Sequence, residues 1–247
     1  MAPALAAVLA AVFLPFVGAA AVPLLYRWVG ERVAYVAAAV AAACLALVLS
    51  QAGRHGAVSI AWIPALDVAL RFYVDGLSVL LALLATGVGV LVFTYSGGYM
   101  HTEPGHVRYY TTLLAFMGSM LGVAFAADLL ALFVFWELTS VCSFVLIGHY
   151  QEPAASRYAA RKALLITAGG GLFLLVGFLL LHAATGTFAV AGTPDALLDD
   201  PGAVRAALSE AGLLWPTLAL VGIGAAAKSA QVPLHVWLPN AMEAPTP

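Results

Sequence analysis

The stretch DLLALFVFWELTSVCSFVLIG, residues 128–148, decides what kind of protein this is. About twenty residues between Asp128 and His149 are apolar enough to lie in lipid, and a carboxylate, Glu137, stands near their middle. A charge at the bilayer centre costs about 2.5–3.5 kcal/mol on insertion scales. Such a group faces protein or water, pairs with another group, or takes up a proton. Ser140 and Val141 follow one turn on, with Thr139 and Ser143 nearby, so a weakly polar stripe runs along this segment. Burial and a neighbouring cation act on a carboxylate's proton affinity in opposite directions. A glutamate whose partner comes and goes would therefore load and release protons near neutral pH. The plainer alternative is a fixed tie between helices.

The rest of the chain has the same character. Of its 247 residues 64% are hydrophobic and 9% charged, and the mean hydropathy is +1.01. Soluble domains are roughly 45–50% apolar and about 25% charged. These figures describe an integral membrane protein. The net charge of −2 lacks the basic face that nucleic acid calls for. Cys44 and Cys142 both fall inside apolar runs and read as small packed hydrophobes, without a second ligand at metal spacing. The first 26 residues lack the positively charged n-region of a signal peptide and exceed its usual apolar length, so a retained first helix is expected.

Seven apolar runs are candidate membrane helices: residues 4–26, 33–50, 77–96, 109–127, 129–148, 163–184 and 212–227. Only Asp128 separates the fourth from the fifth, which implies a tight turn. Residues 51–76 contain VSIAWIPALDVALRFYVDG, whose partial alternation around Pro64 suggests a short hairpin on the bilayer surface. Residues 185–211 carry Asp195, Asp199, Asp200, Arg205 and Glu210 and read as a loop with a short surface helix. With the N-terminus outside, Arg27, Arg32, Arg108, Arg157, Arg161 and Lys162 lie in inward connections and Arg54, Arg71 and Arg205 in outward ones, six against three. The positive-inside bias favours that orientation. The chain stops at LHVWLPNAMEAPTP, where another helix could begin, which suggests a piece of a longer protein.

Lys228 ends the seventh run in GIGAAAKSAQVPLHVWLP and is one of two lysines in the chain. Lysine shifts its pKa readily when buried. Pro233 cannot continue a helix, and Gly222 and Gly224 loosen the preceding turns. A helix broken at membrane depth requires that its freed backbone groups face protein or a wet cavity, and transporters build ion sites from such breaks. Alternatively the helix ends at the interface and Lys228 snorkels outward. Lys162 stands beside Arg161 at the start of the sixth run, either snorkelling or turned inward to act on Glu137. Gly169–Gly171 in AGGGLFLLVG reads as close helix packing, because no Gly-Lys-Ser/Thr follows. Asp75 and Asp128 sit where helix N-caps belong. His235 follows Pro233 and is a candidate proton relay, or simply a packing residue. His149 offers a weaker proton-entry candidate, and His182 lies near the end of its run, where it could face the interface; His55, His101 and His106 are loop residues. Dinucleotide, Walker and nucleophile–base patterns are absent from the sequence, as is any iron–sulfur or haem cluster, so no cofactor and no metal is expected.

Together, RFYVDGLSVLLALLATGVGVLVFTYSGGYM, LFVFWELTSVCSFVLIGHY, SRYAARKALLIT and AAAKSAQVPLHVWLPNAMEAPTP resemble the antiporter-like proton-pumping subunits. These are shared by respiratory complex I, membrane-bound hydrogenases and Mrp-type multisubunit cation/proton antiporters. WELTS, SRYAARKALL and the KSAQ…WLP…AMEAPTP run are most similar to the large A-type subunit of the Mrp antiporters; complex I relatives carry a glycine-containing stretch after the Trp-Glu. The resemblance covers residues 72–247. It implies an all-α integral membrane protein of about seven transmembrane helices with a proline-broken seventh, the N-terminal half of an inverted-repeat fold. Residues 1–76 would form two leading helices and a surface hairpin, and residues 77–247 the first half of the antiporter-like domain.

Carried over by position, the family's membrane glutamate falls on Glu137, its broken-helix lysine on Lys228, and its sixth-helix lysine on Lys162. The resemblance implies an electrostatic switch in which the lysine's charge sets the glutamate's affinity for a proton. The implied function is exchange of Na+ or K+ for protons by a non-enzymatic subunit, with other membrane subunits as partners, in the bacterial inner membrane. The alternatives are a redox-driven pump subunit of complex I or a hydrogenase, or a structural subunit with no transport role. Two departures stand out. Asn240 occupies a position where the family usually has aspartate. The family's second five-helix half, with its histidine and further lysine or acid, has no counterpart in these 247 residues.

Overall fold

The structure, a computed structural model, describes residues 3–63 and 68–246. Each of the seven apolar runs is helical. They form α1 (Pro3–Val29), α2 (Val33–Leu49), α3 (Gly76–Tyr99), α4 (His106–Phe125), α5 (Leu129–Ile147), α6 (Ala154–Thr185) and, after the short α7 (Pro201–Glu210), α8 (Leu214–Lys228). Four helical stretches are long and apolar enough to cross a membrane: Ala6–Leu49, which spans α1 and α2, Gly76–Thr102, Leu129–Ile147 and Ala154–Thr185. The pair α7 and α8, bent by 115° at their junction, makes up to a fifth. The protein is thus a mostly helical, multi-pass membrane protein.

Strands β1 (Gly56–Ile63) and β2 (Val68–Val74) pair antiparallel from Gly56↔Val74 to Ile63↔Val68. The expected hairpin is present; Pro64 lies outside the described residues. β1 is largely exposed, whereas Val68, Phe72 and Val74 of β2 are buried. Phe72 meets Phe13 of α1 edge-on at 6.2 Å and Phe135 of α5 at 6.0 Å. One face of the hairpin is therefore packed on the bundle.

Small residues let the first helices approach closely. Ala34, Ala37, Ala38, Ala41, Cys44 and Val48 of α2 recur at helical spacing and are buried; Cys44 and Cys142 are free thiols. In lipid no water is expelled between helices, so association rests on such close packing. The start of α3 is fixed by a reciprocal capping box: Ser78 N–H donates to Asp75 Oδ1 at 2.7 Å, and Asp75 N–H donates to Ser78 Oγ at 2.8 Å.

The start of α5 is held more tightly. Asp128 is fully buried and accepts from the N–H groups of Leu130 and Ala131 at 3.0 and 3.3 Å. Burial pushes its carboxyl pKa up, against those N–H bonds and against Arg71, which pairs with it at 3.5 Å. Ala127 N–H donates to Arg71 C=O at 2.8 Å, and Val190 N–H to Ala127 C=O at 2.8 Å. The link between α4 and α5 is clasped between β2 and the loop after α6. This clasp fixes the start of α5, the helix that carries Glu137.

α6 differs from its expected start. It begins at Ala154 rather than near residue 163, so Lys162 lies more than two turns inside it. Arg157, Arg161 and Lys162 lower the local hydropathy without interrupting a run of good helix formers. Ala159, Ala160 and Ala163 are buried there, and Ser156 Oγ donates to Ile147 C=O at 2.9 Å. α8 ends at Lys228, five residues before Pro233, and two 3₁₀ turns, Leu234–Trp237 and Pro239–Glu243, carry the chain onward.

Candidate functional site

α5 lies between α4 and α6, and α8 packs along α6. A methyl group built on Gly170 of α6 would overlap Ala227 Cβ of α8; one built on Gly224 of α8 would stand 2.6 Å from Leu174 Cβ and 2.9 Å from Gly170 C=O. This glycine-mediated contact lets the end of α8 reach across to the middle of α5.

Lys228, the last residue of α8, is seated there. Its Nζ donates to Ser140 Oγ at 2.7 Å and to Trp136 C=O at 3.1 Å, and it stands 5.6 Å from the Trp136 ring centroid. A cation at a helix C-terminus is favoured by the exposed carbonyls, and the electron-rich ring adds roughly 0.5–2 kcal/mol. The other carbonyls of this helix end are also answered: Ala225 C=O by Ser229 N–H at 3.0 Å, Ala226 C=O by Gln231 N–H at 2.9 Å, and Ala227 C=O by Trp237 Nε1–H at 3.0 Å. A helix terminus inside a membrane needs that accounting.

Glu137 sits between the two residues that hold Lys228. Its Oε1 is buried with no hydrogen-bond partner, and its carboxylate lies against Gly171 of α6. The ion pairs within 4.0 Å among the described residues are Arg71–Asp128 and His101–Glu31. Glu137 and Lys228 therefore do not form a direct ion pair; Lys228 is instead seated on the two residues that flank Glu137 along α5. A buried acid without donors is costly unless protonated or hydrated. An amine seated on a carbonyl and a hydroxyl is held by neutral acceptors rather than by a carboxylate.

Lys162 is half-buried and donates to Asn240 Oδ1 at 2.9 Å, with its Nζ 5.8 Å from the Tyr158 ring centroid. It ties α6 to the 3₁₀ turn after α8 rather than reaching Glu137. Asn240, singled out as a departure, thus offers a neutral acceptor to this cation. His235 is exposed on the turn Leu234–Trp237. His149 is buried; its Nε2 lies 2.8 Å from Pro104 C=O, and burial lowers its pKa from the usual 6.5. Its ring lines a pocket of about 400 Å³ with Arg108, Tyr150 and Glu152.

Of the four residues that the sequence singles out, the structure seats Lys228 one turn from Glu137 on α5, joins Lys162 to Asn240 and leaves His235 exposed. The sequence reading missed Trp136 as a lysine acceptor, because a backbone carbonyl carries no residue signature. Ser140 was visible as part of the polar stripe, three residues after Glu137. Close packing, expected for Gly169–Gly171, holds for two of the three glycines. Gly170 meets α8, Gly171 meets Glu137, and nothing lies within 4 Å of a methyl group at Gly169.

Comparison with known proteins adds the lineage. Residues 126–247 match the family described as NADH:quinone oxidoreductase/Mrp antiporter, TM. Residues 62–110 match NADH-Ubiquinone oxidoreductase (complex I), chain 5 N-terminus. The A-type subunit of the Na(+)/H(+) antiporter of Alkalihalophilus pseudofirmus is 46% identical over 190 residues, 76% of this chain and 23% of that relative. The A/B-type subunit of a probable K(+)/H(+) antiporter of Rhizobium meliloti is 40% identical over 223 residues, 89% of this chain and 21% of that relative. The solved Mrp complex of a Dietzia species superposes with a TM-score of 0.85 at 33% identity, covering 96% of this chain and 25% of that one. The chain spans about a quarter of the length of the relatives it matches.

Proposed function

Since the chain belongs to the NADH:quinone oxidoreductase/Mrp antiporter family of membrane subunits, we propose that it works as part of the large subunit of a multisubunit antiporter exchanging Na+ or K+ for protons. Glu137 is the group that takes up and releases the proton, and Lys228 is the charge that governs it. The carrying observation is the arrangement on α5: an unpartnered Glu137 carboxylate with the Lys228 ammonium held at 2.7 Å on Ser140, one turn away. A lysine resting on neutral acceptors can leave them without stranding a counter-ion. When it is seated, its field favours the glutamate anion; when it departs, the buried carboxylate favours its proton. Lys162 holds the turn carrying Asn240, and His235 stands on the exposed side of that segment, where partner chain or water could reach it.

In this reading residues 1–76 are two leading helices with a surface hairpin, and residues 77–247 are the first half of an inverted-repeat domain. Its seventh transmembrane helix is α8 broken ahead of Pro233. The partners are other membrane subunits and the bilayer, in a bacterial inner membrane. The antiporter reading is favoured over a redox-driven pump because the named relatives are antiporter subunits at 40–46% identity.

The test uses the full-length subunit in its complex, in inverted membrane vesicles. Addition of Na+ or K+ should collapse a preformed pH gradient. Glu137→Gln and Lys228→Ala should each abolish that response while the complex still assembles. Normal exchange in either variant overturns the assignment, and a gradient coupled to NADH oxidation but indifferent to cations would favour the redox-driven pump.

A further inference from the structure

We infer that Gly171 is a positioning residue for the Glu137 carboxylate, an inference that rests on the proposed role of Glu137. Gly171 is buried at the α5–α6 contact. A methyl group there would overlap Glu137 Oε1 and stand 2.8 Å from its Cδ and 3.5 Å from Oε2. The bare backbone of α6 is the wall against which the carboxylate rests. The neighbouring glycines do not share this role: Gly170 admits α8, and Gly169 faces open space.

The kind of atom displaced decides the consequence. The group that must move is the far end of a flexible side chain, not backbone. Alanine also favours helix over glycine. Gly171→Ala should therefore leave α6 and the bundle standing while turning the carboxylate out of its seat, one turn from the Lys228 site. A shift of this kind alters transport without altering the fold.

The test is a double-substitution cycle in the full-length complex, read as cation-driven proton movement in inverted vesicles. Contacting residues couple, and independent ones add. Gly171→Ala should slow exchange by about tenfold with Glu137 present. In a Glu137→Asp background, whose side chain is one methylene shorter, the same change should cost less than about twofold. Gly169→Ala should be neutral. An equal loss in both backgrounds overturns the inference.

If Gly171→Ala impairs assembly, the yield of assembled complex carries the comparison; if Glu137→Asp leaves no exchange to follow, the thermal midpoint of the purified complex does. Glu137→Ala should then remove the effect of Gly171→Ala, and an unchanged effect counts against the seat. Failure of the functional reading looks different. Glu137→Gln would exchange cations normally while the Gly171–Glu137 coupling in stability persisted.

Discussion

Ser140→Ala perturbs the lysine seat with the least disturbance elsewhere. It removes the shorter of the two hydrogen bonds to Lys228, the one at 2.7 Å, and leaves Trp136 C=O at 3.1 Å and the Trp136 ring at 5.6 Å. A hydrogen bond to a charged group contributes about 1.5–3 kcal/mol. Lys228 is only partly buried and keeps its second acceptor, so the net loss should be about 1–2 kcal/mol. At about 1.4 kcal/mol per factor of ten, the equilibrium constant for seating falls roughly five- to thirtyfold. If exchange requires the ammonium to act on Glu137 from that seat, the rate in inverted vesicles should fall measurably, by up to that factor. Ser140→Thr, which keeps the hydroxyl, should stay within about twofold of the parent. Wild-type exchange in Ser140→Ala would refute the reasoning, as would equal defects in the two variants. Either result would mean that the seat seen between α5 and α8 is not the one used in transport.

Gly170→Val would drive a branched side chain into Ala227 and should cost about 1–3 kcal/mol of stability by overpacking, seen as a lower thermal midpoint and weaker assembly. Asp128→Ala removes a helix cap and strands Arg71 in a nearly closed slot. Breaking a buried pair costs roughly 3–5 kcal/mol; the 3.5 Å separation points to the lower end, about 3 kcal/mol, checked by thermal unfolding in detergent. The His149 contact should weaken in acid. Burial lowers the folded-state pKa below 6.5 while Arg108 and His106 disfavour a charge and Glu103 and the Pro104 carbonyl favour one. The folded state therefore binds fewer protons than the unfolded state just below pH 6.5. Stability from this residue is full above that pH and declines as the pH falls through the folded-state pKa. His149→Gln should flatten that limb of the stability–pH curve.

The apolar runs, the hairpin, the surface helix at Pro201–Glu210 and the caps at Asp75 and Asp128 were all legible in sequence, because each depends on local periodicity or on one side chain at one position. The first nine residues of α6 were not. Arg157, Arg161 and Lys162 depress hydropathy, while the alanines between them carry the helix regardless. Glu137 announced itself as a charge in an apolar run. Its surroundings did not, since its neighbour on α6 is a glycine and the lysine beside it is held by a backbone carbonyl. The end of α8 fell at Lys228, short of Pro233, because the chain leaves the helix where Trp237 and nearby backbone N–H groups can satisfy its last carbonyls. Contacts of that sort depend on the fold and have no signature in a linear string.

Infrared difference spectroscopy of the full-length complex, with cation added minus cation withheld, follows the protonation of Glu137 most directly. The account predicts a protonated-carboxyl band that appears or vanishes with cation, is lost in Glu137→Gln, and changes amplitude in Ser140→Ala. A carboxyl band that persists unchanged in Glu137→Gln, or a cation response with no carboxyl signal at all, would contradict it.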